Sequence, residues 1–173
     1  MPDLQVVVHH ADHGSLVEPI LPEISGHTGY HASLIYEIID ITPFLDERRG
    51  QYNAADLITR YEAQLTSEKN ILVTDVDLFI PIFTHVFGLA KLGGSVGAVS
   101  VHRLSPEYYG LPPDPAWLRL RLKKEIIHEF GHLANLRHCS NYLCVMASSN
   151  TADDLDVKSD QFCKDCRRLL DTL

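Results

Sequence analysis

The stretch that most constrains the fold is His128-Glu129-Phe130-Gly131-His132, followed by a third histidine at His138. A spacing of four puts His128 and His132 on one helical face, one turn apart, so both imidazoles can reach a single ion. His138 comes six residues after His132, and a continuing helix would carry it off that line. The helix must therefore stop, and the chain must turn back. Asn135 sits where that turn is needed, and Asn is the non-glycine residue that best tolerates the left-handed conformation ending a helix. The first 138 residues contain no cysteine; Cys139, Cys144, Cys163 and Cys166 all follow. Four thiolates in two pairs, the second a Cys-x-x-Cys, fit a closed tetrahedral zinc site. Such a site would be structural, and would pin the loop after His138 to the last helix.

The helix carrying the histidines begins with a strong signal. Asp114 is a good N-cap, and Pro115 at the first helical position lacks an N–H that would be unpaired anyway. The pattern extends to about Asn135. Leu118, Leu122, Ile126, Phe130 and Leu133 form its apolar stripe. Arg121, Glu125, His128 and His132 form a polar stripe, expected to face a cleft or water. Arg121 and Glu125 are expected to pair with each other, with a substrate-facing role for Glu125 as the alternative. Glu129 is rotated about 100° from His128. It would flank the ion and face its open position, where a carboxylate can take a proton from water.

Upstream, Leu4–Val8, 32–41 and 70–76 read as strands, and 54–65 as a helix capped by Asn53. Residues 14–30, broken by Gly and Pro, read as a loop or broken helix. Residues 83–90 and 96–104 read as two strands around Gly93-Gly94. A last helix is expected from about Ser159. Alternating strands and helices imply an α/β (α+β) arrangement, a twisted mixed sheet with helices. The proline-rich 105–115 stretch is a connection. One domain is expected, with an N-terminal lobe at 1–137 and a C-terminal lobe at 138–173. The net charge of −8, from 23 acidic against 15 basic residues, disfavours nucleic acid as a partner. The N-terminus lacks a secretory pattern, and no run approaches the roughly 20 apolar residues of a membrane span. A cytoplasmic chain is expected, in which clustered cysteines favour metal over two disulfides.

The run HEFGHLANLRHCSNYLCVMASSNTADDLDVKSDQFCKDC resembles the signature of the archaemetzincins, a group of metzincin zinc proteases. The extended H-E-x-x-H-x-x-G-x-x-H pattern is present with Asn135 in place of the usual Gly. The segments DLFIPIFTHVFG and GAVSVHRL and the chain length are also similar to that family. The resemblance implies a metzincin-like zincin fold. It implies His128, His132 and His138 as ligands of a catalytic zinc, Glu129 as general base, and Met146 as the Met-turn residue beneath the metal. It further implies Cys139, Cys144, Cys163 and Cys166 as a second, structural zinc site, hence two zinc ions per chain. The strand before the active-site helix, here 97–104, would be the edge along which a peptide lies. Ser148 stands where some metzincins have a tyrosine, so Tyr142 and His102 are the candidates to stabilise an oxyanion.

The expected activity is therefore hydrolysis of peptide bonds in a peptide or protein substrate. Amino- and endopeptidase action share this chemistry and remain open at this point, as does the oligomeric state. Two other readings also stay open. One is a non-catalytic zinc domain binding a protein or peptide partner through the same cleft. The other, disfavoured by the acidic charge, is a small nucleic-acid-binding module on the cysteines.

Overall fold

The structure is a computed structural model and describes residues 1–8 and 10–172. Its elements in chain order are β1 (Asp3–Val8), α1 (Ala11–Val17), α2 (Leu21–Thr28), β2 (His31–Tyr36), β3 (Leu45–Asp46), β4 (Gln51–Asn53) and α3 (Ala54–Glu62). There follow β5 (Lys69–Thr74), β6 (Leu78–Phe79), β7 (Gly88–Ala90), β8 (Val96–Ser100), α4 (Pro115–Leu133), α5 (Ala152–Val157) and α6 (Lys164–Leu170). The main sheet has the order β2-β1-β5-β8-β7. Its first four strands are parallel, and β7 runs antiparallel to β8 at one edge. This is the mixed α/β architecture expected.

Strand periodicity sorts the core into two layers. Leu4, Val6, Val8, Ile71, Val73 and Val99 point to the face covered by α1, α2 and α4. Val7, Leu72, Val96 and Ala98 point to the opposite face, where Leu57 and Ile58 of α3 pack. Because both faces are covered, β5 and β8 are buried almost throughout. Asn53 caps α3, its Oδ1 accepting from Ala55 and Asp56 N–H.

Several boundaries differ from the sequence reading. Residues 14–30 are mostly helical, the prolines falling at helix starts where a missing N–H costs nothing. The second strand stops at Tyr36 rather than 41. The stretch 80–87 is a loop that leaves only Gly88–Ala90 as strand, and β8 ends at Ser100. The expected edge strand at 97–104 is corrected: β8 is interior, and β7, folded back through the turn at Gly93-Gly94, is the edge. Helix α5, with its Thr151/Asp154 capping box, was not anticipated, and α6 starts at Lys164 with Cys163 as its N-cap.

The polar stripe of α4 faces a cleft, as expected, through Glu125, His128 and His132, whereas Arg121 is covered by protein. Arg121, Glu125 and His128 are 2%, 3% and 5% exposed. Arg121 and Glu125 do not pair with each other. Arg121 donates to both oxygens of Asp156, at 2.8 and 2.6 Å, and Glu125 meets Lys158. The segment after the histidines folds back over this stripe, so each buried charge meets its counter-charge there.

Candidate active site

Helix α4 is fastened at both ends. Asp114 Oδ1 accepts from Trp117 N–H at 2.9 Å. At the other end Asn135 has φ 63°, the one non-glycine residue among those described with positive φ. Asn135 N–H donates to His132 O, and Leu136 N–H to Gly131 O, the paired bonds of a Schellman motif. The turn expected at Asn135 is thus present with Asn in the position glycine usually takes.

This turn reaches the second histidine directly. His132 Nδ1 faces Leu136 O at 2.8 Å, and His128 Nδ1 faces Val145 O at 2.7 Å. A carbonyl can only accept, so each Nδ1 carries the proton and each Nε2 presents a lone pair. The two Nε2 atoms lie 3.1 Å apart. Two lone pairs at that distance repel unless a cation stands between them. Nitrogens around a tetrahedral zinc at 2.0–2.1 Å would lie about 3.3 Å apart. His138 joins them, and the three ligand atoms lie within 4.8 Å of one another. Burial lowers the pKa of all three histidines, most strongly His128, which favours the neutral, metal-binding form.

Glu129 is 3% exposed. Its Oε2 is buried without a hydrogen-bond partner, and its Oε1 lies where a Cβ on Gly88 would come within 2.7 Å. Only glycine at this point of β7 leaves room for the carboxylate. Burial drives the Glu129 pKa well above the carboxylate range; the charge of Glu125 adds to this and Lys158 opposes it. A nearby cation would favour the ionised form. Met146 is fully buried, and its sulfur lies so close to Gly131 that any Cβ there would overlap it.

The four cysteine sulfurs also converge within 4.8 Å, and Cys139 and Cys163 Sγ are 3.8 Å apart. A tetrahedral zinc with Zn–S of 2.3 Å sets that separation at about 3.8 Å. All four are free thiols. Backbone N–H groups reach the sulfurs, from Asn141 to Cys139 at 3.4 Å and from Cys163 to Cys144 at 3.3 Å. Burial pushes the Cys144 and Cys166 thiols up, whereas the Cys166 N–H holds Cys163 down.

The histidines and Glu129 line a cleft of about 690 Å³ together with β7 and residues 148–150. The two oxyanion candidates are not part of it. His102 packs against Tyr108, ring centroids 5.2 Å apart, and Tyr142 is 69% exposed outside the cleft. His85, which sequence reasoning passed over, does line the cleft, as do Ser148 and Arg137. No local pattern in the sequence marks His85 for this place. A third group, Glu23, His27 and Asp160, also gathers. There the Lys123 ammonium bridges Glu23 and Asp160 and supplies the positive charge itself.

The chain is similar in sequence and fold to known proteins. A sequence model of peptidase family M54 matches residues 14–172. The archaemetzincin of Pyrococcus horikoshii is 46% identical over 129 residues, 73% of this chain and 69% of that one. The archaemetzincin of Methanocaldococcus jannaschii is 42% identical over 123 residues, 70% of this chain and 67% of that one. Among solved structures, a zinc-dependent peptidase from Methanocorpusculum labreanum superposes with a TM-score of 0.88 at 32% identity, covering 97% of this chain and 100% of that one. The archaemetzincin of Methanopyrus kandleri gives 0.87 at 30% identity, covering 99% and 94%. With its fold and nearly its whole length matched, the chain belongs to peptidase family M54, the archaemetzincins.

Proposed function

We propose that this zinc metallopeptidase hydrolyses peptide bonds in this cleft, with His128, His132 and His138 holding a catalytic zinc and Glu129 acting as general base. The observation that carries the reading is the orphaned Oε2 of Glu129, buried beside three converging histidines. When bound there, zinc supplies Lewis acidity toward a carbonyl and lowers the pKa of water to about 7.

The chain's own residues do the rest. Leu136 and Val145 carbonyls hold the imidazoles with Nε2 toward the ion. Gly88 leaves the space in which Glu129 takes a proton from the attacking water and returns it to the leaving amine. The substrate backbone adds to β7, the sheet edge beside Glu129. Ser100 N–H donates to Phe87 O, so Leu89 bonds inward to Ala98, and the backbone groups of Gly88 and Ala90 point outward. The four cysteines hold a second zinc, giving two per chain and fastening residues 138–173 as a C-terminal lobe.

Cleavage of a mixed peptide library tests this, with Glu129→Gln as control. The variant is expected to keep two zinc ions by elemental analysis and to lose hydrolysis. Full turnover by Glu129→Gln would overturn the base assignment. Retained zinc with an inert parent would favour the partner-binding reading.

A further inference from the structure

Lys158 lies in the chain between the two cysteine pairs, and its ammonium ends behind His128. Its side chain is 1% exposed and that of Glu125 is 4% exposed. A buried ammonium needs a counter-charge and acceptors. Lys158 Nζ finds Glu125 Oε1 at 3.4 Å and Ala147 O at 3.2 Å. It also stands 3.5 Å from His128 Nδ1, whose proton faces Val145 O. Lysine and histidine are therefore two donors side by side, and they fasten one short stretch. His128 takes the carbonyl of Val145, Lys158 takes that of Ala147, and Met146 lies between them with its sulfur against Gly131.

The lysine is itself placed by backbone pairing around the cysteines. Val145 N–H donates to Gln161 O, Ser159 N–H to Leu143 O, and Lys158 N–H to Asp154 O. A well-packed apolar pair at 125 and 158 would be at least as favourable to bury as this ion pair. Stability alone thus gives no account of two charges here, one of which lines the cleft.

We propose that Lys158 is a positioning residue for the histidine centre. Paired with Glu125, it clamps residues 145–147 beneath His128 and so carries the geometry set at the cysteines to the first histidine. This rests on the reading of the three histidines as a metal centre. It also makes the stretch between the cysteine pairs part of the machinery rather than only a cover.

The test compares the parent, Lys158→Arg, Lys158→Met and the charge-free pair Glu125→Gln/Lys158→Met. Zinc is retained at the cysteines and cobalt is exchanged into the histidines. Four quantities are read: the visible d–d spectrum of the cobalt, the thermal midpoint, and kcat and KM on a peptide library. Lys158→Met is expected to bind both metals, to shift the d–d bands, and to lose about tenfold or more in kcat at unchanged KM. Lys158→Arg is expected to recover part of both. The charge-free pair is expected to regain the thermal midpoint but neither the bands nor kcat. Parent-like bands and kcat in that pair would overturn the proposal and leave the metal reading standing. A parent that takes up no cobalt at the histidines would overturn both.

Discussion

At Asn135 a single backbone angle sets the direction of the third histidine. A left-handed conformation costs an ordinary L-residue about 1–2 kcal/mol, and Asn less than most. Asn135→Ala is expected to lower stability by about 1 kcal/mol, read as a fall in the urea midpoint, while Asn135→Gly holds or raises it. If alanine were neutral, the turn would draw its stability from elsewhere. This position was legible because the spacing of His132 and His138 demands a turn, and few residue types accept its geometry. Gly88 and Gly131 were not legible in the same way. Their need for a missing side chain comes from Glu129 and Met146, which approach from other elements. Likewise nothing local marks His85 as a cleft residue.

At the scale of elements, α4 could be read almost whole, because its cap, its apolar stripe and its histidines all obey one period. Strand β7 could not. Three residues are too few for periodicity to show, and an edge is defined only by what lies beside it. The expected edge at 97–104 proved interior because the chain turns at Gly93-Gly94 and adds β7 outside it. The outward groups of Gly88 and Ala90 give a direct test of peptide docking. Ala90→Pro removes one outward N–H and none from the β7–β8 ladder. With a net hydrogen bond worth about 1 kcal/mol, KM is expected to rise about fivefold with zinc content unchanged. An unaltered KM would place the substrate elsewhere in the cleft.

Across the whole molecule, the segment after the histidines is held to α4 by buried charges as well as by the cysteines. Burial by itself would raise the pKa of Asp156, but hydrogen bonds from Arg121 and Trp117 outweigh it and hold the value below the usual carboxylate range. A depressed native pKa contributes stability that is complete above the unfolded value of about 3.9 and is lost as pH falls through the native value. The parent is therefore expected to lose urea resistance as pH drops below about 4. Asp156→Asn should be weaker at pH 7 and should fall less steeply with acid. Parallel pH curves for the two proteins would remove Asp156 from that account. Among the described residues no helix is long and apolar enough to cross a membrane.

The chain's sequence by itself determined the metal-capable side chains, the helix that carries two of them, the turn that returns the third, and the family. Each follows from spacing along a single element, or from residue types with few alternative uses. Only the tertiary structure decided what those side chains lie against. The pairing of Arg121 with Asp156 and of Glu125 with Lys158 and the glycine beside Glu129 join residues at least 30 positions apart, and the free sheet edge is defined by which strands lie beside it. Burial obliges each charge to find a partner, but local pattern carries no information about which distant residue that partner will be.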